Sequence, residues 1–315
     1  MRVLLANDAS PHSRAAAEYL LAVPFRRPID LDVACAVSPP LMVDTGLGIP
    51  VDLHDFIEEE RQAVQQRVEE TAEQLGGPVH SVHTHVPVGP ASSELLELAE
   101  GTGADLIVLG AVGHSAMDRV LLGSVSDYVA THSDVSTLVV RPKRDSELPP
   151  SLQKIMLALS GSPEDDRMLQ WLRCLKLNPG VEVHLVRILR LDKFYRHDIR
   201  QKASAYWQSF VNAAQTQILD FETKLQDMGL NTETHLVEAE HIGEALIDYA
   251  EQHGCDLMMT GDSDSGLLTR VFLGSTSRYV LRHAQCSVMI VRDKSDRQAA
   301  KRAVAEQSQQ GSVGV

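Results

Sequence analysis

The sequence contains little that is typical of a secreted, membrane-bound or nucleic-acid-binding protein. Only four of its 315 residues are cysteines, and their spacing suits neither a disulfide framework nor a zinc site. No apolar run is long enough to cross a bilayer, and the segment MRVLLAND lacks the three regions of a signal peptide. The net charge of −14 argues against a general binder of nucleic acids or anionic membranes. We therefore expect a cytoplasmic protein.

Several motifs of catalytic and metal-binding proteins are also missing. There is no G-x-x-x-x-G-K-[ST] motif and no G-x-G-x-x-G after the first strand, which disfavours P-loop and dinucleotide-binding folds. No residue pair stands out as nucleophile plus base, so we predict no catalytic residue. His83 and His85 share one face of a predicted strand and His80 lies on the other, so we predict no metal site there.

The most informative stretch combines a short apolar run with three glycines. The run Leu106 to Leu109 ends at Gly110, which is typical of a strand buried on both faces. Gly113 follows three positions later, and Gly123-Ser124 open a new helical pattern. Glycine allows a ligand to approach the backbone closely, and a helix N-terminus offers free N–H groups to an anion. The spacing therefore predicts a strand, a phosphate-sized loop and a helix N-terminus.

This stretch occurs twice in the chain. Gly110 recurs as Gly261 and Gly123-Ser124 as Gly274-Ser275, at the same offset of 151 positions. A constant offset of this length indicates duplication of a whole domain rather than a short repeat. The segment between the copies is charged and ends in Pro-Pro, and the C-terminal segment is polar. We predict a first domain at 1–144, a linker at 145–151, a second domain at 152–293 and a disordered tail at 294–315.

Strands alternate with helices in both copies. This order predicts an α/β fold with a mostly parallel, doubly wound sheet, which binds ligands where the strand order reverses. The predicted strands are 2–6, 31–37, 82–88, 106–109 and 137–140 in the first copy, and 155–159, 181–189, 232–237, 257–260 and 288–291 in the second.

The spacing Gly-x2-Gly-x9-Gly-Ser resembles the nucleotide signature of the universal stress protein family. The resemblance covers the chain to about Arg292. It implies two tandem flavodoxin-like (adenine nucleotide alpha hydrolase-like) domains, each with a five-stranded parallel sheet and a ligand between strands one and four. Family members commonly pair through their last strands, so the resemblance implies an intramolecular pseudo-dimer, and a homodimer stays open as a further alternative.

The resemblance also implies roles for individual residues of the first copy. Asp8 would accept ribose hydroxyls or help hold Mg²⁺, and the backbone of Val37 would contact adenine. The glycines would let the loop approach the phosphates, and the start of the second helical pattern would offer N–H groups. The family segment Asp-Gly-Ser reads Asp8-Ala9-Ser10 here. The implied nucleotide-binding residues are Ala6, Asp8, Val37, Leu109, Gly110, Gly113, Gly123, Ser124 and Val125.

The second copy departs from the signature at two positions. Ser160 stands where the first copy has Asp8, and Asp264 stands where it has Gly113. Two unit charges about 4 Å apart repel by roughly 4 kcal/mol at an effective dielectric constant of 20. We therefore expect the second domain to be a degenerate copy that serves as a pairing partner or regulatory surface.

Three hypotheses for the function follow. The first is a stress-response regulatory protein that binds ATP, or ADP or AMP, in its first domain and acts on an unknown protein partner. The second is a slow, metal-assisted ATPase or phosphotransfer enzyme. The third is a scaffold that binds no nucleotide. The sequence does not distinguish among the adenine nucleotides.

Overall fold

The computed structural model describes residues 1–38, 54–75, 79–112, 122–142, 152–162, 165–190, 197–262 and 273–293. The predicted linker and tail lie outside these residues, as do Gly113 and Asp264. The chain divides into two compact units, one of Met1–Leu21 with Arg27–Val140 and one of Ala22–Arg26 with Arg141–Val315. Within the described part of the chain, no helix is both long and apolar enough to span a membrane.

The first unit alternates strands and helices, as the sequence predicts. Its elements are β1 (Arg2–Ala6), α1 (Pro11–Ala22), β2 (Ile29–Ala34), α2 (His54–Gln74), β3 (Val79–His85), α3 (Ala91–Thr102), β4 (Leu106–Gly110), α4 (Ser124–His132) and β5 (Ser136–Val140). The strands are parallel and lie in the order β3-β2-β1-β4-β5. The order reverses between β1 and β4, and this is where a doubly wound sheet binds its ligand.

The second unit repeats this arrangement. Its elements are β6 (Lys154–Ala158), α5 (Asp166–Arg173), β7 (Glu182–Arg190), α6 (His197–Gln226), β8 (Asn231–Ala239), α7 (Ile242–His253), β9 (Leu257–Gly261), α8 (Ser275–His283) and β10 (Ser287–Val291). The parallel strands have the order β10-β9-β6-β7-β8. The predicted α/β class, with a doubly wound sheet in each of two tandem domains, is confirmed.

The central strands of both units are buried on their two faces. In β1, Val3, Leu4 and Leu5 are fully buried, and in β6 Ile155 and Met156 are as well. Strands covered by helices on both faces are continuous apolar runs rather than alternating ones. This explains why a short apolar run ended by a polar or glycine residue predicts each central strand.

The predicted boundaries of β2 and β3 are a few residues late. Beyond the regular ladder only an isolated bridge joins Val37 to Val88. Proline has no N–H to donate to a ladder, and Pro87 lies at this point. By contrast, α4 and α8 begin where the Gly-Ser pairs predict, at Ser124 and Ser275, with a glycine as the N-cap residue of each.

Candidate functional site

A cavity of about 320 Å³ opens at the carboxyl ends of β1 and β4 in the first unit. Its volume is at the lower end of the roughly 300–1,000 Å³ that small-molecule sites occupy. Seven of the predicted residues line it, namely Ala6, Asp8, Leu109, Gly110, Gly123, Ser124 and Val125. The other lining residues are Asn7, Ser10, Ser13, Ala34, Cys35, Ala36, Ala91, Leu95, Val112 and Ser126.

The loop after β1 is held by short polar side chains. The buried Asn7 accepts hydrogen bonds at Oδ1 from the Ala9 N–H (2.9 Å) and the Ser13 hydroxyl (3.1 Å). Asp8 accepts one at Oδ1 from the Ser10 N–H (3.0 Å). Ser10 caps α1, because its hydroxyl oxygen accepts the Ser13 N–H at 3.1 Å. The loop therefore fixes the exposed Asp8 carboxylate at the rim of the cavity.

Gly110 is required by a close backbone contact. A Cβ added there would lie 2.6 Å from the carbonyl carbon and oxygen of His12 in α1. The Gly110 carbonyl accepts a hydrogen bond from the Ser126 hydroxyl at 2.7 Å. The Gly123 N–H donates to the Ala111 carbonyl, also at 2.7 Å. These contacts tie the end of β4 to the start of α4 and set the back of the cavity.

The N-terminus of α4 faces the cavity. Gly123 is the N-cap residue, with φ −73° and ψ 154°, and among the described residues no side chain caps the helix. Ser124 and Val125 follow it in the cavity wall. No lysine or arginine is among the described residues that line the cavity. An anion here would therefore be bound by backbone N–H groups and the helix dipole.

The structure places Val37 outside the cavity lining. Its N–H donates to the Pro87 carbonyl and its carbonyl accepts from the Gly89 N–H, each at 2.9 Å. The two preceding residues, Cys35 and Ala36, line the cavity instead. Burial raises the pKa of the Cys35 thiol to about 11, so the thiol is neutral at physiological pH.

The corresponding loop of the second unit is closed by charged side chains. The Asp165 carboxylate, at the position of Ser13, accepts three hydrogen bonds, from the Ser160 N–H, the Ser160 hydroxyl and the Gly161 N–H. Arg187, at the position of Cys35, lies with its guanidinium directly over Gly161. An internal cation therefore fills the space that faces the cavity in the first unit.

This loop leads into α5. The helix begins at Asp166 with Asp165 as the N-cap residue, and Pro163 and Glu164 lie outside the described residues. The Asp165 side chain bonds to the preceding loop rather than to the helix. Burial raises the pKa of Asp165, although the N–H donors and the charge of Arg187 act against this.

Reasoning from the sequence alone missed several residues of both loops. No recognisable motif marks four of the residues that line the cavity of the first unit, because each contributes a small side chain or a backbone contact. These residues are Asn7, Ser13, Cys35 and Ala36. Arg187 could have been found by aligning β2 with β7 at their offset of 152, which places a long cation where the first copy has a cysteine.

The fold is a pair of doubly wound α/β domains, and the first of them has a cavity at the switch point of its parallel sheet, where sheets of this kind bind ligands. Two segments of the chain, residues 1–141 and 151–292, match the family model described as the universal stress protein family. Together these segments span most of the chain. The protein therefore belongs to the universal stress protein family, as a member with two tandem domains.

Three relatives illustrate the similarity. A universal stress protein of Methanocaldococcus jannaschii is 30% identical over 150 residues, which cover 46% of this chain and 84% of that protein. A universal stress protein of Mycobacterium tuberculosis is 26% identical over 228 residues, covering 72% of this chain and 75% of the relative. A crystal structure of a universal stress protein from Archaeoglobus fulgidus has a TM-score of 0.62 and 22% identity, covering 92% of this chain and 96% of that one. At this identity the structural match shows the fold alone.

Proposed function

We propose that the first unit binds an adenine nucleotide and that the protein is a nucleotide-responsive regulator of stress responses. One observation carries the proposal: the uncapped N-terminus of α4 opens into a cavity at the switch point between β1 and β4. A helix N-terminus without a cap has unsatisfied N–H groups, and a phosphate oxygen satisfies them well.

The remaining lining residues suit the rest of a nucleotide. Ala6 and Leu109 offer apolar walls, and Asp8 at the rim can accept hydrogen bonds from ribose hydroxyls. Ala36 lines the cavity two residues after β2, whereas the N–H and carbonyl of Val37 are hydrogen-bonded to Pro87 and Gly89. We therefore assign the adenine contact to Ala36 in place of Val37.

Asp8 is also the one carboxylate among the described lining residues. Mg²⁺ bound to a nucleotide needs only one or two protein carboxylates, since phosphates and water complete its shell. Asp8 is therefore the residue that would contact such an ion.

The second unit is proposed to bind no nucleotide. Its Arg187 and Asp165 occupy the equivalent space, and Asp264, outside the described residues, adds a carboxylate in the glycine position of the motif. Asp262 lies beside two arginines, with Oδ1 3.4 Å from Arg167 and Oδ2 3.5 Å from Arg292. Because these arginines already pair with Asp262, we expect them to bind a phosphate weakly.

The test is nucleotide binding by the full chain and by two matched variants. We expect isothermal titration with ATP, ADP, AMP and cyclic AMP to give one site per chain for at least one of these ligands. Gly113→Asp gives the first unit the aspartate that the second unit has at this position, and repulsion between this carboxylate and the phosphates should abolish nucleotide binding. Asp264→Gly makes the reverse change and should leave the stoichiometry at one.

Three outcomes would contradict the proposal. Full-length protein that binds none of the four nucleotides would support a scaffold instead. Unchanged affinity in Gly113→Asp, with wild-type circular dichroism, would exclude this cavity as the site. Steady-state ATP turnover of more than a few per minute would favour an enzyme over a regulator.

A further inference from the structure

Two histidines and a glutamate converge on one face of the sheet in the second unit. His184 on β7 pairs in register with Glu233 on β8, and His235 lies two residues further along β8. Residues two apart on a strand point to the same face. Consequently Glu233 and His235 project on one side of β8, next to His184.

The potential ligand atoms of these side chains lie close together. His235 Nε2 is 2.9 Å from Glu233 Oε1, and His184 Nε2 is 3.7 Å from Glu233 Oε2. All three side chains offer a ligand atom within 4.8 Å of the other two. A tetrahedral ion with bonds of about 2.0–2.1 Å separates its ligands by roughly 3.3 Å. The two histidine–glutamate distances lie on either side of this value.

A hydrogen bond from α7 orients the buried histidine. The Tyr249 hydroxyl lies 2.7 Å from His184 Nδ1, which leaves Nε2 directed at Glu233. A partner on one ring nitrogen fixes the tautomer and presents the other nitrogen to an ion.

The site is both enclosed and accessible. His184 has a side-chain exposure of 1%, whereas Glu233 is 57% exposed and gives solvent a path to the cluster. Glu182 is a further nearby carboxylate, with Oε2 3.5 Å from His184 Nε2, and it is paired with Lys154 Nζ at 2.9 Å. This ion pair neutralises the lysine charge and so reduces its repulsion of a bound cation.

We propose that His184, Glu233 and His235 bind a divalent d-block cation, with Zn²⁺ as the first candidate and Tyr249 as a positioning residue. Two imidazole nitrogens and one carboxylate oxygen are a ligand set that zinc accepts, with water in the fourth position. The ion would join β7 to the edge strand β8. The proposal concerns the second unit and is independent of nucleotide binding in the first.

The first unit has no equivalent cluster among its described residues. Asp32 and His85 occupy the positions of His184 and His235. The Asp32 carboxylate, however, is already bound by the Arg2 guanidinium, with Nε 2.6 Å from Oδ2. In the first unit the Arg2 guanidinium thus takes the place that a metal ion would occupy in the second unit.

The experiment is a Zn²⁺ titration of chelator-treated, full-length protein, followed by equilibrium dialysis and metal analysis, with Co²⁺ absorption as a second readout. We expect one bound equivalent per chain and a Co²⁺ spectrum without thiolate charge transfer. His235→Ala and Glu233→Gln should each weaken binding by more than about 10-fold. Tyr249→Phe keeps the ring and should weaken it by about 10- to 100-fold, as loss of an outer-shell partner does.

Two controls separate this site from other ligands in the chain. His83→Ala removes an exposed imidazole from β3 of the first unit, and Cys174→Ser removes the exposed thiol. Both should bind Zn²⁺ like the wild type. Absence of a stoichiometric site would overturn the proposal. So would wild-type affinity in both His235→Ala and Glu233→Gln, or loss of the bound equivalent in Cys174→Ser. Glu233 is exposed, so its variant remains informative even if His235→Ala fails to fold.

Discussion

The guanidinium of Arg187 lies directly over Gly161, whose φ of 82° is in the left-handed region. Any side chain at Gly161 would therefore meet both backbone strain and the arginine. The same guanidinium interacts electrostatically with the buried Asp165 carboxylate. In the first unit the equivalent strand position is Cys35, which faces the cavity. The two differences between the copies, Asp165 for Ser13 and Arg187 for Cys35, thus place an internal charge cluster where the first unit has a cavity.

Arg187→Met should destabilise the second unit. The change keeps an apolar side chain of similar length but leaves the Asp165 carboxylate buried without its cation. Breaking a buried pair costs about 3–5 kcal/mol, and the three hydrogen bonds that Asp165 retains should reduce the loss here to about 2–3 kcal/mol. Both tryptophans of the chain, Trp171 and Trp207, lie in the second unit, so urea unfolding followed by their fluorescence reports on it.

Arg190→Met is the matched control, since Arg190 is exposed at the end of the same strand. It should change the free energy of unfolding by less than about 0.5 kcal/mol, as most surface substitutions do. Equal losses in the two variants would show that the position of Arg187 over the loop has no special energetic role.

Ala9→Gly should stabilise the first unit. Ala9 has φ 60°, and it is the one non-glycine residue with positive φ in the described part of the chain. The left-handed conformation costs an L-residue about 1–2 kcal/mol, whereas the extra freedom of glycine in the unfolded chain costs about 0.4–1 kcal/mol. We expect a net gain of about 0.5–1 kcal/mol by urea unfolding followed by circular dichroism.

Ala15→Gly, in the middle of α1, provides the comparison for this change. There the backbone is helical and glycine should cost about 1 kcal/mol. If both variants lose stability to the same extent, the loop after β1 is not strained at Ala9.

The central part of the fold was predictable because strong local signals coincide there. The end of β4 is marked by Gly110, which packs against the backbone of His12, and the start of α4 is marked by the Gly123-Ser124 step. The close contact at Gly110 excludes a side chain, so it leaves a trace in the sequence. The role of Gly113, in contrast, stays a prediction, because it lies outside the described residues.

Contacts between distant segments were not predictable. The sequence pattern of β2 continues to Val37, but the ladder ends near Pro87, and Ala36 faces the cavity instead. The cluster of His184 and Tyr249 joins a strand to a helix 65 positions away. Histidine spacing within one strand cannot reveal such a pair, because the register between strands and helices is set by packing.

Gly110→Ala should destabilise the first unit. The added Cβ would lie 2.6 Å from backbone atoms of His12, and backbone cannot move aside as a flexible side chain can. Overpacking of this kind costs about 1–3 kcal/mol. Gly101→Ala in α3 is the control, because its added Cβ would meet no described residue within 4 Å apart from its chain neighbours and its own helix backbone, and the variant should gain up to about 1 kcal/mol. Urea unfolding of both variants by circular dichroism tests the contrast, and a neutral Gly110→Ala would contradict the close packing of α1 on β4.

Asp32→Asn should remove a pH-dependent part of the stability of the first unit. Asp32 is fully buried, with Oδ1 2.8 Å from His85 Nε2 and Oδ2 2.6 Å from Arg2 Nε. Burial by itself would raise the pKa of Asp32, but the hydrogen bonds from Arg2 and His85 outweigh it and lower the pKa. The ionised carboxylate therefore stabilises the fold above its unfolded pKa of about 3.9, and this contribution is lost as the pH falls through the lower folded value.

At pH 7 we expect Asp32→Asn to cost about 2–3 kcal/mol, less than a fully buried pair because the Arg2 side chain is 36% exposed. The difference from the wild type should shrink as the pH is lowered below about 4, since the wild type then takes up the proton that the variant cannot bind. Asp30→Asn is the control, because Asp30 is partly exposed and bonded to the neutral Ser81 hydroxyl at 2.7 Å. It should cost less than about 1.5 kcal/mol. Urea unfolding at pH 7, 4 and 3 measures both, and a difference for Asp32→Asn as large at pH 3 as at pH 7 would mean that shape rather than charge at Asp32 stabilises the sheet.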